Sequence, residues 1–90
     1  MLRTAANEHD PIAVALQALA VSLGDEVRAT RLLDLTGLTP DDLRSRAAEP
    51  SVLIAVLRFL EDHEPDLLAV AAAMGSKPQE LVAARSALEA

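Results

Sequence analysis

Prolines and glycines divide this chain into short segments, and their positions constrain its fold more than any other sequence feature. The chain contains five prolines and three glycines. Proline fits the first turn of an α-helix, where its missing N–H has no intrahelical partner. Glycine is favoured just after the last turn, where the backbone often takes a left-handed conformation. Interpreted with these two rules, the pattern predicts six short helices.

Capping residues set the predicted helix boundaries. A short polar side chain suits the N-cap because its oxygen accepts a hydrogen bond from a free N–H of the first turn. At the start of the sixth helix, Ser76 and Gln79 have the spacing of a capping box, and the alternative N-cap is Lys77. The predicted capping residues are Asp10, Gly24, Asp25, Gly37, Thr39, Gly75 and Ser76.

The amino-acid composition favours an all-α fold. The chain has 18 alanines and 16 leucines, which are strong helix formers, and its only aromatic residue is Phe59. Isoleucine and the aromatic residues, which favour strands, are nearly absent. A chain of 90 residues forms one domain. We therefore predict a compact all-α bundle of about six short helices over residues 10–90, preceded by a flexible N-terminal arm over residues 1–9.

The predicted fourth helix, which ends at about Asp62, is apolar on almost every side, which indicates a central, buried helix. Only Arg58 is charged between residues 50 and 60, and the predicted fifth helix has no charge between Leu67 and Ser76. The residues predicted to lie in the core or in an interface are Leu57, Phe59 and Leu60. The chain has 28 large apolar side chains, and a domain this small buries only about 60–65% of its surface. We therefore expect these helices to leave an apolar face for a protein partner or a homodimer.

Two helix junctions match at an offset of 38 residues. Gly37 aligns with Gly75, and the prolines and leucines that follow them also coincide. This alignment predicts two tandem three-helix units, residues 10–49 and 50–89. The alternative is that capping chemistry alone places glycine and proline at any junction between helices.

Each predicted unit ends in a helix–turn–helix, whose apolar–glycine–apolar spacing resembles that of DNA-binding proteins. The charges oppose that use, because the two would-be recognition helices begin with Pro40-Asp41-Asp42 and Pro78-Gln79-Glu80. DNA affinity depends on Lys and Arg, whereas this chain has a formal net charge of −6. The only basic grouping is Arg28, Arg31, Arg44 and Arg46. A helix-turn-helix nucleic-acid-binding regulator is therefore the alternative function, and we expect no nucleic acid as partner.

The segment Glu61–Asp66 places four carboxylates and one imidazole within six residues, a set that can hold a metal. It lacks EF-hand and HExxH spacing, and acidic residues are expected at a helix start in any case, so we predict a solvated loop and no metal site. The chain also lacks cysteine, a Gly-x-Ser-x-Gly sequence and a glycine-rich phosphate loop. We therefore predict no catalytic residue, no cofactor, no small-molecule ligand and no enzyme activity.

The longest mostly apolar stretch is too short to cross a membrane. Ile12–Leu23 spans twelve residues, whereas a bilayer span needs about 20. Glu8 and Asp10 precede this stretch, unlike the basic region of a signal peptide. The absence of cysteine means that nothing requires an oxidising compartment. We expect a cytoplasmic protein without a membrane partner.

Two stretches carry a family resemblance, Leu35–Arg44 and Val56–Glu64. On these residues the chain resembles domain-of-unknown-function family 3572, an uncharacterised alphaproteobacterial family of small all-helical proteins. The resemblance implies a compact helical bacterial protein and transfers no active-site residue. Members of that family have an aromatic residue in both halves of the duplicated pattern, whereas this chain keeps only Phe59.

These observations lead to one functional hypothesis. We expect a non-enzymatic protein-interaction module, an adaptor or regulator, that binds another protein or a second copy of itself. The nucleic-acid-binding regulator is the alternative, and a small enzyme comes third.

Overall fold

The computed structural model describes residues 10–90, which form six α-helices and, within that range, no β-strand. The predicted all-α fold and the number of helices are confirmed. The predicted arm, residues 1–9, lies outside the described residues. The helices are α1 (Pro11–Leu23), α2 (Glu26–Thr36), α3 (Pro40–Arg46), α4 (Pro50–Asp62), α5 (Glu64–Met74) and α6 (Pro78–Glu89).

Polar side chains start the first three helices as predicted. The carboxylate of Asp10 accepts a hydrogen bond from the N–H two residues later, and that of Asp25 accepts one from the N–H of Arg28, both at 3.0 Å. Thr39 and Asp42 form a reciprocal capping box, in which each side chain accepts from the other residue's N–H, at 3.1 and 2.9 Å. Hydrogen bonds from backbone N–H groups favour the charged carboxylates and lower the pKa of Asp25 and of Asp42.

Two glycines end helices in the predicted left-handed conformation. Gly37 has φ of 77°, and its N–H donates to the carbonyl of Leu33 at 3.0 Å. Gly75 has φ of 71°, and its N–H donates to the carbonyl of Ala72 at 3.1 Å. Both bonds satisfy carbonyls that the last turn leaves without an intrahelical partner.

The same expectation is wrong for Gly24. It occupies the C-cap of α1, but its φ of −74° and ψ of −12° are right-handed. Its N–H donates to the carbonyl of Val21 at 3.1 Å, so α1 ends in a tight three-residue turn. Asp25 then starts α2 at once, and the chain needs no left-handed residue between the two helices.

The prediction that Ser76 caps α6 is also wrong. The N–H of Ser76 donates to the carbonyl of Ala71 at 2.9 Å, which completes a Schellman motif at the end of α5. Lys77, the alternative, is the N-cap of α6, and its N–H donates to Oε1 of Glu80 at 2.7 Å. Because Ser76 belongs to the preceding helix end, the next helix starts one residue later.

Helix α4 lies at the centre of the bundle and packs against each of the other five helices. Leu57, Phe59 and Leu60 are each at most 4% exposed, which places them in the core and not in an interface. The other buried residues of α4 are Val52, Leu53 and Val56. Leucines from α1, α2 and α6 cover α4, so the expectation that it lacks cover is wrong.

The two proposed units share part of their pattern. Helices α1 and α4 both have 13 residues, and α2 and α5 both have 11, whereas α3 has 7 and α6 has 12. At the offset of 38 residues, the buried Ala15, Ala18, Leu19 and Ser22 of α1 align with the buried Leu53, Val56, Leu57 and Leu60 of α4. The duplication of residues 10–49 in 50–89 stays a prediction.

Candidate interaction surface

A buried carboxylate joins α2 to α5. Asp66 lies in the first turn of α5 and is only 6% exposed. Arg28 donates from Nε to its Oδ1 at 2.9 Å, and Arg31 donates from Nη2 to both carboxylate oxygens, at 2.8 and 2.7 Å. The two arginines are three residues apart on α2 and therefore lie on the same side of that helix. One carboxylate thus holds both cations of α2.

Two opposing effects act on the pKa of Asp66. Burial alone would raise this pKa, because a charged carboxylate loses hydration. The hydrogen bonds and positive charges of Arg28 and Arg31 act in the other direction, and the net result is a pKa below the ordinary value of 3.8. Asp66 is therefore charged at neutral pH, and the three side chains form a fixed ionic cluster.

The cluster binds both cations of α2, and the side chain of Arg31 stays 41% exposed beside the outer side of the helix. Glu26, Thr30 and Asp34 are four residues apart in succession and form one exposed row along the helix. Arg31 is close enough in sequence to pair with Asp34, but its guanidinium is bound to Asp66 instead. Within residues 10–90, neither Glu26 nor Asp34 forms an ion pair. This row therefore stays negative.

The neighbouring row of α2 carries two exposed large apolar side chains. Val27 is 70% exposed and Leu35 is 59% exposed, the highest values for large apolar residues in the described part of the chain. They are eight residues apart, which is about 12 Å along a helix. A shallow depression of about 430 Å³ lies between Val27 and Asp34, and Arg31 also lines it. Arg31 lies between Val27 and Leu35 on the helix, with its guanidinium bound to Asp66. This row, which we call the apolar row, runs beside the acidic row.

Leu35 also borders a groove between α2 and α4. The groove has a volume of about 180 Å³, and Ala55 and Phe59 contribute apolar surface to it. Asp62 is exposed at the groove and makes no ion pair within residues 10–90, so a carboxylate lies on this side of the apolar row as well. We call the surface made by Glu26, Val27, Thr30, Asp34, Leu35, Ala55 and Asp62 the α2 face.

A second ionic cluster holds Arg58, which lines the groove. Nε of Arg58 donates to Glu89 at 2.8 Å. Arg85 binds the same glutamate at 2.8 Å and Glu61 at 2.7 and 2.9 Å, which joins α4 to α6. The hydrogen bonds that Glu89 accepts from Arg58 and then Arg85 lower the pKa of Glu89, and those that Arg85 donates to Glu61 and Glu89 raise the pKa of Arg85. Arg58 is thus neutralised from the α6 side.

The acidic segment differs in part from the predicted solvated loop. Asp62 and Glu64 are exposed, whereas Asp66 is buried and Glu61 is half-buried against Arg85. Nδ1 of His63 lies 2.8 Å from the carbonyl oxygen of the residue four positions earlier. Within residues 10–90, no group of three or more potential metal ligands comes together.

The partners of Asp66 were not predicted from the sequence. An acidic residue in the first turn of a helix is explained by the helix dipole alone, so its type and position gave no reason to expect burial. The one available signal was the spacing of Arg28 and Arg31, which puts two cations one turn apart. That spacing does not indicate which carboxylate they meet.

The arginines of the predicted helix-turn-helix are paired. Arg44 pairs with Asp41, and Arg46 pairs with Asp42 at 3.2 Å and with Glu49 at 3.0 Å. The same holds for all arginines within residues 10–90, namely Arg28, Arg31, Arg44, Arg46, Arg58 and Arg85. The acidic residues of α3 thus neutralise the basic residues of the same helix.

The apolar face expected on the fifth helix is present in part. Leu68 is 49% exposed, and Ala69, Ala72 and Ala73 are exposed on the same side of α5. This face offers one large side chain, whereas the α2 face offers two. The α2 face was not predicted, because α2 carries Glu, Arg and Asp side chains and an apolar face is expected from the sequence only on uncharged helices.

No helix of the described residues is long and apolar enough to cross a membrane.

Comparisons with known proteins place the chain in a family. No curated protein and no solved structure matches the chain. The model of one family matches residues 2–90, which is nearly the whole length. The chain therefore belongs to the family described as "Protein of unknown function (DUF3572)".

Proposed function

We propose that this protein is a non-enzymatic protein-interaction module of a bacterial cytoplasm, an adaptor or regulator that binds its partner through the α2 face. The observation that carries the proposal is the exposure of Val27 and Leu35, at 70% and 59%, on one side of a single helix. Exposed apolar surfaces rimmed by polar residues mark interaction sites, and Val27 and Leu35 lie on one helix beside exposed carboxylates.

The ionic cluster supports this assignment because it fixes the helix that carries the face. Arg28 and Arg31 hold α2 to α5 through Asp66, and Leu32 anchors the opposite side of α2 in the core at 0% exposure. A surface that is already ordered loses little conformational entropy when a partner binds. The α2 face therefore has the rigidity that an interface needs.

The charge distribution favours a protein partner over nucleic acid, which is the alternative function. The exposed rows of α2 carry Glu26 and Asp34, and the arginines of residues 10–90 are engaged in ion pairs. DNA binding requires cations that are free to replace the counterions of phosphates. We propose no catalytic residue, cofactor, metal or small-molecule ligand for this protein.

Site-specific photo-crosslinking tests the proposal. A photo-reactive amino acid replaces Thr30, at the middle of the α2 face, in cells that carry the protein natively. The matched position is Ser86, which is exposed on α6. We expect a discrete covalent adduct from position 30 and none from position 86. Val27→Glu should abolish this adduct, whereas Leu68→Glu should leave it unchanged.

The adduct is then identified by mass spectrometry. An adduct with another protein or with a second copy of this chain supports the interaction function, provided that it depends on Val27. The proposal is wrong if position 30 gives no adduct, if positions 30 and 86 give the same adducts, or if Leu68→Glu is as disruptive as Val27→Glu.

A further inference from the structure

The chemistry of the partner can be inferred from the α2 face, and this inference rests on the function proposed above. We propose that the α2 face binds a basic amphipathic helix of another protein. Such a helix carries apolar residues along one side and Lys or Arg residues on both flanks of the apolar row. It would dock with its apolar side on Val27 and Leu35.

Charge complementarity is the first argument. Glu26 and Asp34 lie along one side of the apolar row, and Asp62 lies across the groove on the other side. Arg31 lines the depression and Arg58 lines the groove, but these arginines are bound to Asp66 and Glu89. Within residues 10–90 none of the three carboxylates forms an ion pair. Basic side chains on both flanks of a docked helix would form ion pairs with these three carboxylates.

The spacing of the apolar residues is the second argument. Val27 and Leu35 are about 12 Å apart along the helix axis, which is slightly more than two helical turns. A partner helix presents side chains at about that interval through residues i and i+7 or i+8, and helices that bind in grooves use apolar residues at such helical spacings. The groove of about 180 Å³ beside Leu35 has room for one aliphatic side chain of the partner.

A second copy of this chain does not fit the same face. In a two-fold dimer both copies use the same surface, so the interface would bring together the unpaired carboxylates of both copies and no unpaired cation of the α2 face. Like charges brought together at an interface oppose association. The net charge of −6 adds a long-range repulsion between copies, whereas it attracts a basic segment. The occupant is therefore a different, basic chain.

An NMR titration with designed peptides tests the chemistry of the partner. The first probe is a 14-residue helical peptide with leucines at helical spacing on one side and lysines on both flanks. The second peptide has glutamate in place of each lysine. We expect the Leu/Lys peptide to shift the amide resonances of Val27, Thr30, Asp34 and Leu35 in the ¹⁵N-labelled protein. The Leu/Glu peptide should leave them in place.

Two double variants distinguish the effect of the carboxylates of the α2 face on peptide affinity from the effect of the net charge of the protein. Glu26→Gln with Asp34→Asn should weaken binding of the Leu/Lys peptide about three- to tenfold, as expected for the loss of two exposed charge contacts. Gln79→Lys with Ser86→Lys changes the net charge by the same amount on α6 and should change the affinity less than about twofold. Circular dichroism confirms that both variants stay helical.

The inference is overturned if the Leu/Glu peptide binds equally well, if the shifts map to another surface, or if the α6 variant loses as much affinity as the α2 variant. A crosslink from position 30 without binding of the Leu/Lys peptide would refute the basic helix and leave the interaction function standing. The absence of both would refute both.

Discussion

Arg28 and Asp66 are 38 residues apart in the chain, and Nε of the arginine lies 2.9 Å from Oδ1 of the aspartate. The same interval separates Gly37 from Gly75, the two left-handed helix ends. The contact joins α2 to α5, and together with Arg31 it pairs both cations of α2 with one carboxylate. One buried carboxylate thereby contributes to the fold and to the charge of the α2 face.

Removal of the Asp66 charge should destabilise the protein. Asp66→Asn leaves Arg28 and Arg31 without a carboxylate in a half-buried site, and we expect the free energy of unfolding to fall by about 2–3 kcal/mol. Urea denaturation at neutral pH measures this change. Asp62→Asn is the matched control, because Asp62 is exposed and unpaired within residues 10–90, and it should change stability by less than about 0.5 kcal/mol. Equal effects would show that the ionic cluster contributes no stability.

The contribution of Asp66 should disappear in acid. Its pKa in the folded protein is below 3.8, so the unfolded chain takes up a proton first as the pH falls. The stabilisation is complete well above pH 3.8 and is lost as the pH falls through 3.8 and then through the lower pKa of the folded state. We expect the difference in urea midpoint between wild type and Asp66→Asn to be constant from about pH 6 to 8 and to shrink below about pH 4. A difference that is undiminished at pH 2 to 3 would contradict the pKa shift.

Truncation of the central helix should cost most of the stability of the domain. Leu57 and Phe59 are 1% and 4% exposed, so Leu57→Ala and Phe59→Ala each leave a cavity, and we expect losses of about 2–5 kcal/mol. Leu68→Ala makes the same kind of change at a half-exposed position and should cost less than about 1 kcal/mol. Urea denaturation compares the three variants. A loss below about 1 kcal/mol at both core positions would place α4 at the surface.

The left-handed glycines should not tolerate a side chain. Gly37→Ala and Gly75→Ala each place a Cβ at positive φ, although no atom lies within 4 Å of it, so backbone strain of about 1–2 kcal/mol is the expected cost. Gly24→Ala keeps a right-handed backbone, but its Cβ would lie 3.3 Å from the carbonyl oxygen of Val21, which requires a small shift, so we expect a cost below that at Gly37 and Gly75, less than about 1 kcal/mol. Thermal unfolding ranks the three variants. A cost at Gly24 equal to that at Gly37 would mean that the sign of φ does not govern the effect.

Duplex DNA should not bind. Because the arginines of residues 10–90 are ion-paired and the net charge is −6, few counterions would be released from phosphates. Fluorescence anisotropy with a labelled duplex at low and at high salt should show no saturable, salt-dependent signal. Binding that weakens steeply with salt would favour the nucleic-acid-binding regulator.

The sequence by itself determined where the helices begin and end. The caps at Asp25 and Thr39 and the left-handed turn at Gly37 depend on hydrogen bonds and backbone angles within three or four residues. Such local chemistry is visible in a single sequence. The errors at Gly24 and Ser76 arose where two helix ends lie next to each other, because either helix can use the shared residues.

Only the tertiary structure decided which residues became surface and which formed ion pairs. Leu32 is fully buried and Leu35 is 59% exposed, although both are leucines on the same short helix. The difference depends on which side of α2 its neighbours cover. Asp66 meets Arg28 and Arg31 across more than thirty residues of chain, and nothing local to any of the three specifies that meeting. Long-range pairing is set by the packing of α2 and α5, so the acidic and apolar rows of the α2 face emerge only in the folded protein.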